Sequence, residues 1–268
     1  MNTPGIVSLL TDFGHDDEYV GVVKAVILKY SPTAKLVDIC HTIPPQDIHA
    51  AARMLETSYS FFSEGTVHLA VVDPGVGTDR DILMVETDRY TFVAPDNGIL
   101  TTVLQSPELK KSYRLPKVTG SAVSSTFHGR DIMAPAAGKI AAGALPETLG
   151  EEIDAAHCAT LPPMLVRITE KEIIGEVTGI DRFGNIATSI KAEHIRMNHA
   201  DVEIEIGGTV IPGMVTTYAD VEKLVLAALI DSRGNLEIAM NHGNAAGHLG
   251  SRRGDSVVVR LSSAHGSH

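Results

Sequence analysis

The stretch VVDPGVGTDR, residues 71–80, ends an apolar run in a carboxylate, turns on Pro74, Gly75 and Gly77, and then reaches a guanidinium. Asp73 stands at a strand end, and the glycines let the backbone turn tightly and approach a ligand. Arg80 can fold back across that turn to pair with Asp73. A second stretch, SSTFHGRDIMAP (124–135), places His128 in the loop before a helix opened by Arg130 and Asp131. A carboxylate, a fixed positive charge and an imidazole brought together can hold one water, orient it and take its proton. Arginine supplies charge only, whereas histidine or aspartate can accept the proton. Each residue also has a plain structural reading: a loop ion pair for Asp73 and Arg80, a packed lone histidine for His128.

Asp12 lies in LLTDFG (9–14), just past a first apolar run. Asp-Phe-Gly is the magnesium corner of protein kinases, but a kinase carries its glycine-rich loop, strand lysine and catalytic loop upstream of it. Too little chain precedes Asp12 for that. Nor is there a G-x-x-x-x-G-K-[ST] loop, and Gly75 and Gly77 lack the third glycine of a dinucleotide fingerprint. Ligands of doubly wound sheets bind outside the carboxyl ends of the strands, so Asp12 is placed either to accept hydrogen bonds from ribose hydroxyls or to cap the following turn. His15, Asp16, Asp17 and Glu18 either hold a metal or stabilise a helix N-terminus. Asn97, in FVAPDNGIL (92–100), either caps a helix or reaches a ligand. Asp181, Phe183 and Asn185 in IDRFGN (180–185), and Ser232 and Arg233 in IDSRGN (230–235), read on their own as polar hairpin turns.

The elements that must carry these residues follow from periodicity. Apolar strands are expected at 5–12, 35–40 and 66–73. Between them, Tyr19, Val22, Val23, Val26, Ile27 and Tyr30 form one helical stripe, and Ile48, Ala51, Ala52, Leu55 and Tyr59 another. This β-α-β-α-β rhythm predicts an α/β N-terminal domain, 1–160, built on a doubly wound, mostly parallel sheet with flanking helices. DILMVET and RYTFVAPD, with no helix between them, predict a hairpin or an edge pair. After Pro162-Pro163 come short alternating runs separated by Gly, Asn and Asp, predicting a smaller C-terminal β-barrel or sandwich over 161–268. The last seven residues, SSAHGSH, are expected to be disordered. The net charge of −11 argues against nucleic-acid and anionic-membrane partners. Cys40 and Cys158 form no C-x-x-C motif. With no apolar stretch of about 20 residues and no basic-then-apolar leader, the cytoplasm is the expected location.

LLTDFG, VVDPGVGTDR, FVAPDNGIL, STFHGRD, IDRFGN, TYADV and ALID stand in the order found in the S-adenosyl-L-methionine hydroxide adenosyltransferases, the S-adenosylmethionine hydrolases, which are relatives of fluorinase and chlorinase. The resemblance spans about residues 5–262. It implies in-line displacement at the 5′ carbon of S-adenosylmethionine by water or hydroxide, giving adenosine and L-methionine. A sulfonium leaves readily, so no cofactor, metal or covalent nucleophile is implied. By that pattern Asp73, Arg80 and His128 activate water and Asp12 holds the ribose. Asn185 and Tyr218 serve adenine, and Asp181, Ser232 and Arg233 serve the methionine end, with Asn97 and Phe183 as further substrate contacts. The halogenating relatives carry other residues at Asp73 and His128, and some have a tryptophan near Gln46. The family pattern also implies a homotrimer with its sites at subunit interfaces. Two other functions are open to the residues alone: a metal-dependent nucleotide phosphohydrolase built on the cluster from Asp12 to Glu18, and a non-catalytic nucleoside-binding protein. His242 and His248 take no assignment.

Overall fold

In the computed structural model β1 (Ile6–Thr11) is buried along almost its whole length, as a central strand flanked on both faces must be. The structure describes residues 5–117, 123–195 and 201–261. The C-terminal segment expected to be disordered lies outside them. The chain divides into two compact units, Met1–Leu161 and Pro162–His268.

In the first unit β1 leads to α1 (Tyr19–Tyr30), β2 (Lys35–Cys40), α2 (Ile48–Glu56) and β3 (Val67–Val71), then to β4 (Ile82–Thr87), β5 (Thr91–Pro95), α3 (Thr101–Leu104), β6 (Leu109–Arg114), α4 (Ala134–Ala141) and β7 (Glu151–Ile153). The sheet order is β2-β1-β3-β5-β4-β6-β7. Pairing is parallel from β2 through β5 and antiparallel beyond. β4 and β5 do form a hairpin, but inside the sheet: β5 pairs with β3 and β4 with β6, so neither is an edge. Alternate strand residues face two cores. Val7, Leu9, Leu69 and Met84 pack with α1 and α4, while Leu10, Ala70, Leu83 and Phe92 pack with α2 and α3.

Two details depart from the sequence pattern. The buried stripe of α1 is Val20, Val23 and Ile27, with Tyr19 and Tyr30 at its exposed margins, because an aromatic ring with a hydroxyl sits readily at a wet boundary. Ahead of α4, residues Gly129–Met133 form a wide π-type turn. Pro135 follows at the start of α4 and has no N–H to give the preceding turn, which an ordinary helical ladder would require.

The second unit is antiparallel throughout. β8 (Val166–Ile168), β9 (Glu172–Ile180), β10 (Ile186–Lys191), β11 (Val202–Ile206), β12 (Thr209–Pro212), β13 (Leu226–Ile230), β14 (Asn235–Met240), α5 (Ala245–Leu249) and β15 (Ser256–Leu261) follow in sequence. The path β12-β11-β15-β9-β10-β14-β13 curls into a nearly closed, barrel-like sheet whose end strands touch. Its interior is filled by Ile173, Val177, Ile186, Ile204, Ile238 and Val259. These residues alternate with outward ones, as a barrel wall demands.

Candidate active site

At the carboxyl edge of the first sheet the three candidate catalytic residues meet. Arg80 donates from Nε to Asp73 Oδ1 at 2.8 Å and from Nη2 to Asp73 Oδ2. The same Nη2 lies 3.0 Å from His128 Nδ1. The Arg80 and Asp73 side chains are only 9% and 6% exposed, so this is a nearly dry, two-pronged ion pair rather than a solvated surface one. Arginine has no acceptor, so Nδ1 of His128 must accept, and the imidazole hydrogen resides on Nε2. Burial first, then the Arg80 charge, holds the His128 pKa below its ordinary value, partly opposed by Asp73 and Asp131. His128 is therefore neutral at pH 7.

The backbone explains how residues so distant in sequence converge. Gly77 has φ of +80°, and a Cβ there would strike the Ser125 carbonyl. Only glycine lets the 73–80 turn lie against the loop that presents His128. That loop is tied by Asp131, which accepts from the Ser124 N–H at 2.7 Å and pairs with Arg130 at 2.6 Å. Asn97 does not cap α3. Its side-chain amide donates to the Val72 carbonyl at 2.9 Å while its oxygen accepts from the Ile99 N–H at 3.2 Å, anchoring the residue before Asp73. Asp12, half-buried past β1, accepts from the Gln46 N–H on Oδ2 at 2.8 Å.

Phe127 meets Phe13 and Tyr19 edge to face, and those two rings lie tilted to each other, all with centroids 5.2 to 5.8 Å apart; the cluster links the Asp12 loop to the His128 loop. Two hollows flank this region. One, of about 130 Å³, is walled by Arg80, His128, Ile82 and Ile132, room for a few waters. The other, about 410 Å³, is lined by Phe13, Tyr19, Phe127 and Arg130 and falls in the range of small-molecule clefts. His15, Asp16, Asp17 and Glu18 lie exposed ahead of α1. Among the described residues no three His, Cys, Asp or Glu side chains converge as metal ligands do.

The second unit holds the remaining candidates. Asp181 organises the β9–β10 turn: Oδ1 accepts from the Phe183 and Asn185 N–H groups at 2.8 and 2.9 Å, and Oδ2 from the Asn185 side chain at 3.1 Å. Phe183 is thereby thrust out, 73% exposed. Asp231 builds the β13–β14 turn in the same way, accepting from the Arg233 and Asn235 N–H groups, both at 2.9 Å, and leaving Ser232 and Arg233 exposed. The first turn is locked to α5, since a Cβ on Gly184 (φ +86°) would strike the Asn244 side chain. Between the turns lies Glu237 of β14, 8% exposed and overlooked in the sequence because it interrupts an apolar run. Its carboxylate accepts from the Tyr218 hydroxyl at 2.7 Å. Burial raises the Glu237 pKa, the Tyr218 hydrogen bond opposes this, and Asp231 and Asp181 raise it further. The Tyr218 hydroxyl is pushed up to about 12 by burial and by that carboxylate.

A carboxylate, guanidinium and imidazole joined at the carboxyl edge of an α/β sheet are the equipment of an enzyme that activates a small nucleophile. The chain belongs to the S-adenosylmethionine hydroxide adenosyltransferase family: residues 7–150 match the model of its N-terminal domain and residues 175–258 that of its C-terminal domain. An (R)-S-adenosyl-L-methionine hydrolase of Thermus thermophilus is 39% identical, the match covering 95% of this chain and 98% of that one. A fluorinase of Nocardia brasiliensis is more distant, 28% identical over 96% of this chain and 97% of its own. The crystal structure of an uncharacterised conserved protein of Thermotoga maritima superposes with a TM-score of 0.87 at 33% identity, covering 95% of this chain and 99% of that one.

Proposed function

We propose that the protein hydrolyses S-adenosyl-L-methionine to adenosine and L-methionine. The observation that carries the mechanism is the Arg80 fork, which holds both oxygens of Asp73 and one nitrogen of His128. Water held at this trio attacks the ribose 5′ carbon from the side opposite sulfur. The new C–O bond forms as the C–S bond breaks, and its electron pair neutralises the sulfonium. With Nδ1 engaged by Arg80 and Nε2 already bearing hydrogen, His128 orients the water by donating to it. Asp73 is the member of the trio with lone pairs to receive the proton, and Arg80 steadies the charge that develops on oxygen. Relatives that carry the hydrolase name, at up to 39% identity over most of this chain, support the reaction.

Asp12 holds the ribose hydroxyls in this reading. Asn185 and Tyr218 meet adenine, with Phe183 stacking, and Asp181, Ser232 and Arg233 meet the methionine end. Asn97 acts through the Val72 carbonyl rather than on substrate. The reaction runs without a bound metal or cofactor, and the enzyme works in the cytoplasm as a homotrimer. Its exposed apolar side chains, Phe61 and Leu224 among them, support burial between copies. The test is chromatographic. Purified protein incubated with S-adenosylmethionine and a chelator should release adenosine and methionine in equal amounts, and Asp73→Asn should abolish this. Release that stops with the chelator, or that survives Asp73→Asn undiminished, contradicts the reading.

A further inference from the structure

We infer that His41 is a positioning residue that holds the Asp12 carboxylate in the posture that recognises the ribose hydroxyls. This rests on the role given to Asp12 above. His41 follows β2, which pairs with β1 in a register that slips between Leu9 and Leu10. The imidazole is 1% exposed and sits in a line of polar groups that begins at the surface. Lys24 on α1 donates to Asp38 Oδ2 at 2.7 Å. Asp38 Oδ1 lies 3.0 Å from His41 Nε2, close but poorly aligned for a hydrogen bond. His41 Nδ1 lies 2.8 Å from Thr11 Oγ1, itself 1% exposed. A nitrogen facing a carboxylate carries the hydrogen, so Nδ1 accepts from the Thr11 hydroxyl. That hydroxyl in turn accepts from the Phe13 N–H at 3.3 Å.

The backbone of the same residue completes the brace. The His41 carbonyl accepts from the Gly14 N–H at 2.7 Å. One side chain and one carbonyl therefore fix residues 11, 13 and 14, on both sides of Asp12. The segment that follows His41 reaches Asp12 itself, for its Oδ2 accepts from the N–H of Gln46. Gln46 adopts φ of +66°, a left-handed conformation unfavourable for a residue with a side chain and one that surrounding contacts must enforce. Asp12 Oδ1 is left without a partner among the described residues, free for a hydroxyl. Among the described residues no hydrogen bond or ion pair joins these groups to the Asp73–Arg80–His128 trio, so the device acts on substrate posture and not on water activation.

The experiment compares kcat/KM for S-adenosylmethionine and its 2′-deoxy analogue in the full-length protein. The wild type should prefer the hydroxylated substrate by about ten- to a hundredfold, the range of one hydrogen bond to a charged group. His41→Leu should lose most of that preference, and Thr11→Val and Asp38→Asn part of it, while kcat on saturating 2′-deoxy substrate stays near wild type. A general loosening of the fold would lower both substrates alike and leave the ratio unmoved. Should His41→Leu fail to fold, Thr11→Val, nearly isosteric, decides the matter. Folded His41→Leu or Thr11→Val with the wild-type ratio overturns the inference alone. An Asp12→Asn protein that keeps the full preference overturns the ribose assignment of Asp12, and this inference with it.

Discussion

His68 is the group whose titration the fold resists most plainly. It lies on β3 with no exposed surface, stacked on Phe92 at 4.9 Å and enclosed by Tyr59, Phe62 and Tyr90. Its Nδ1 is 2.7 Å from the Ser8 hydroxyl and its Nε2 has no hydrogen-bond partner among the described residues. Burial lowers its pKa from 6.5 to about 3. A depressed imidazole favours the neutral form, so the unfolded chain binds the proton first as pH falls. Stability is fully present above 6.5 and declines between there and about 3. Going from pH 7 to pH 5, the unfolded state takes up nearly one proton that the folded state refuses. At about 1.4 kcal/mol per pH unit past 6.5, the loss is about 2 kcal/mol, or roughly thirtyfold in the opening equilibrium. The assay is hydrogen exchange of the β3 amides at pH 7 and pH 5, corrected for intrinsic rates, in wild type and His68→Gln. Glutamine keeps a polar atom for Ser8 and does not titrate, so the remaining carboxylates cancel in the comparison. Protection in the wild type should fall about thirtyfold further than in the variant. Equal losses in the two proteins would refute the reasoning.

Arg80→Lys keeps the charge but not the fork, losing the second Asp73 oxygen and the His128 contact. One such charge-assisted bond is worth about 1.5–3 kcal/mol, so steady-state kinetics should show kcat lowered at least about ten- to a hundredfold with KM little changed. Protonating His128 breaks its acceptance from Arg80, so activity should fall as pH drops through a pKa below the ordinary 6.5 and be flat above it. A pH–rate profile with its acid limb centred above 6.5 contradicts that placement. Tyr218→Phe deprives the buried Glu237 carboxylate of its hydroxyl donor and should lower chemical-denaturation stability by about 1–3 kcal/mol, whereas Glu237→Gln in the same background should restore most of it.

Much of the first unit was legible in the chain. The expected runs at 5–12, 35–40 and 66–73 contain β1, β2 and β3, because long apolar segments bounded by turn residues leave little choice of structure. The convergence of Asp73, Arg80 and His128 was legible as an idea from strand-end position, yet its reason, the Gly77 approach to Ser125, lies in tertiary contact. Periodicity misjudged the margins of α1, since it cannot tell Val20 from Tyr19 without knowing where the sheet lies. It left a hairpin and an edge pair both open for β4 and β5 because sheet order is a long-range property. The polar interior groups were the least visible. Thr11 on β1 meets Asp38 and His41, on and just after β2, only when the two strands pair, and Glu237 in NLEIAM looks like a surface residue until Tyr218 is seen to reach it. The two turns built by Asp181 and Asp231 read as ordinary hairpins because locally they are.

The central claim is direct attack by water at the 5′ carbon, with Asp73 receiving a proton and never bonding to carbon. A single turnover in water enriched in heavy oxygen, with enzyme in excess of S-adenosylmethionine, tests it by mass analysis of the adenosine and of the peptide that contains Asp73. The account predicts the heavy atom in adenosine from the first turnover and none in the peptide. Unlabelled adenosine accompanied by a labelled Asp73 peptide would mean that the carboxylate is the nucleophile, and would contradict it.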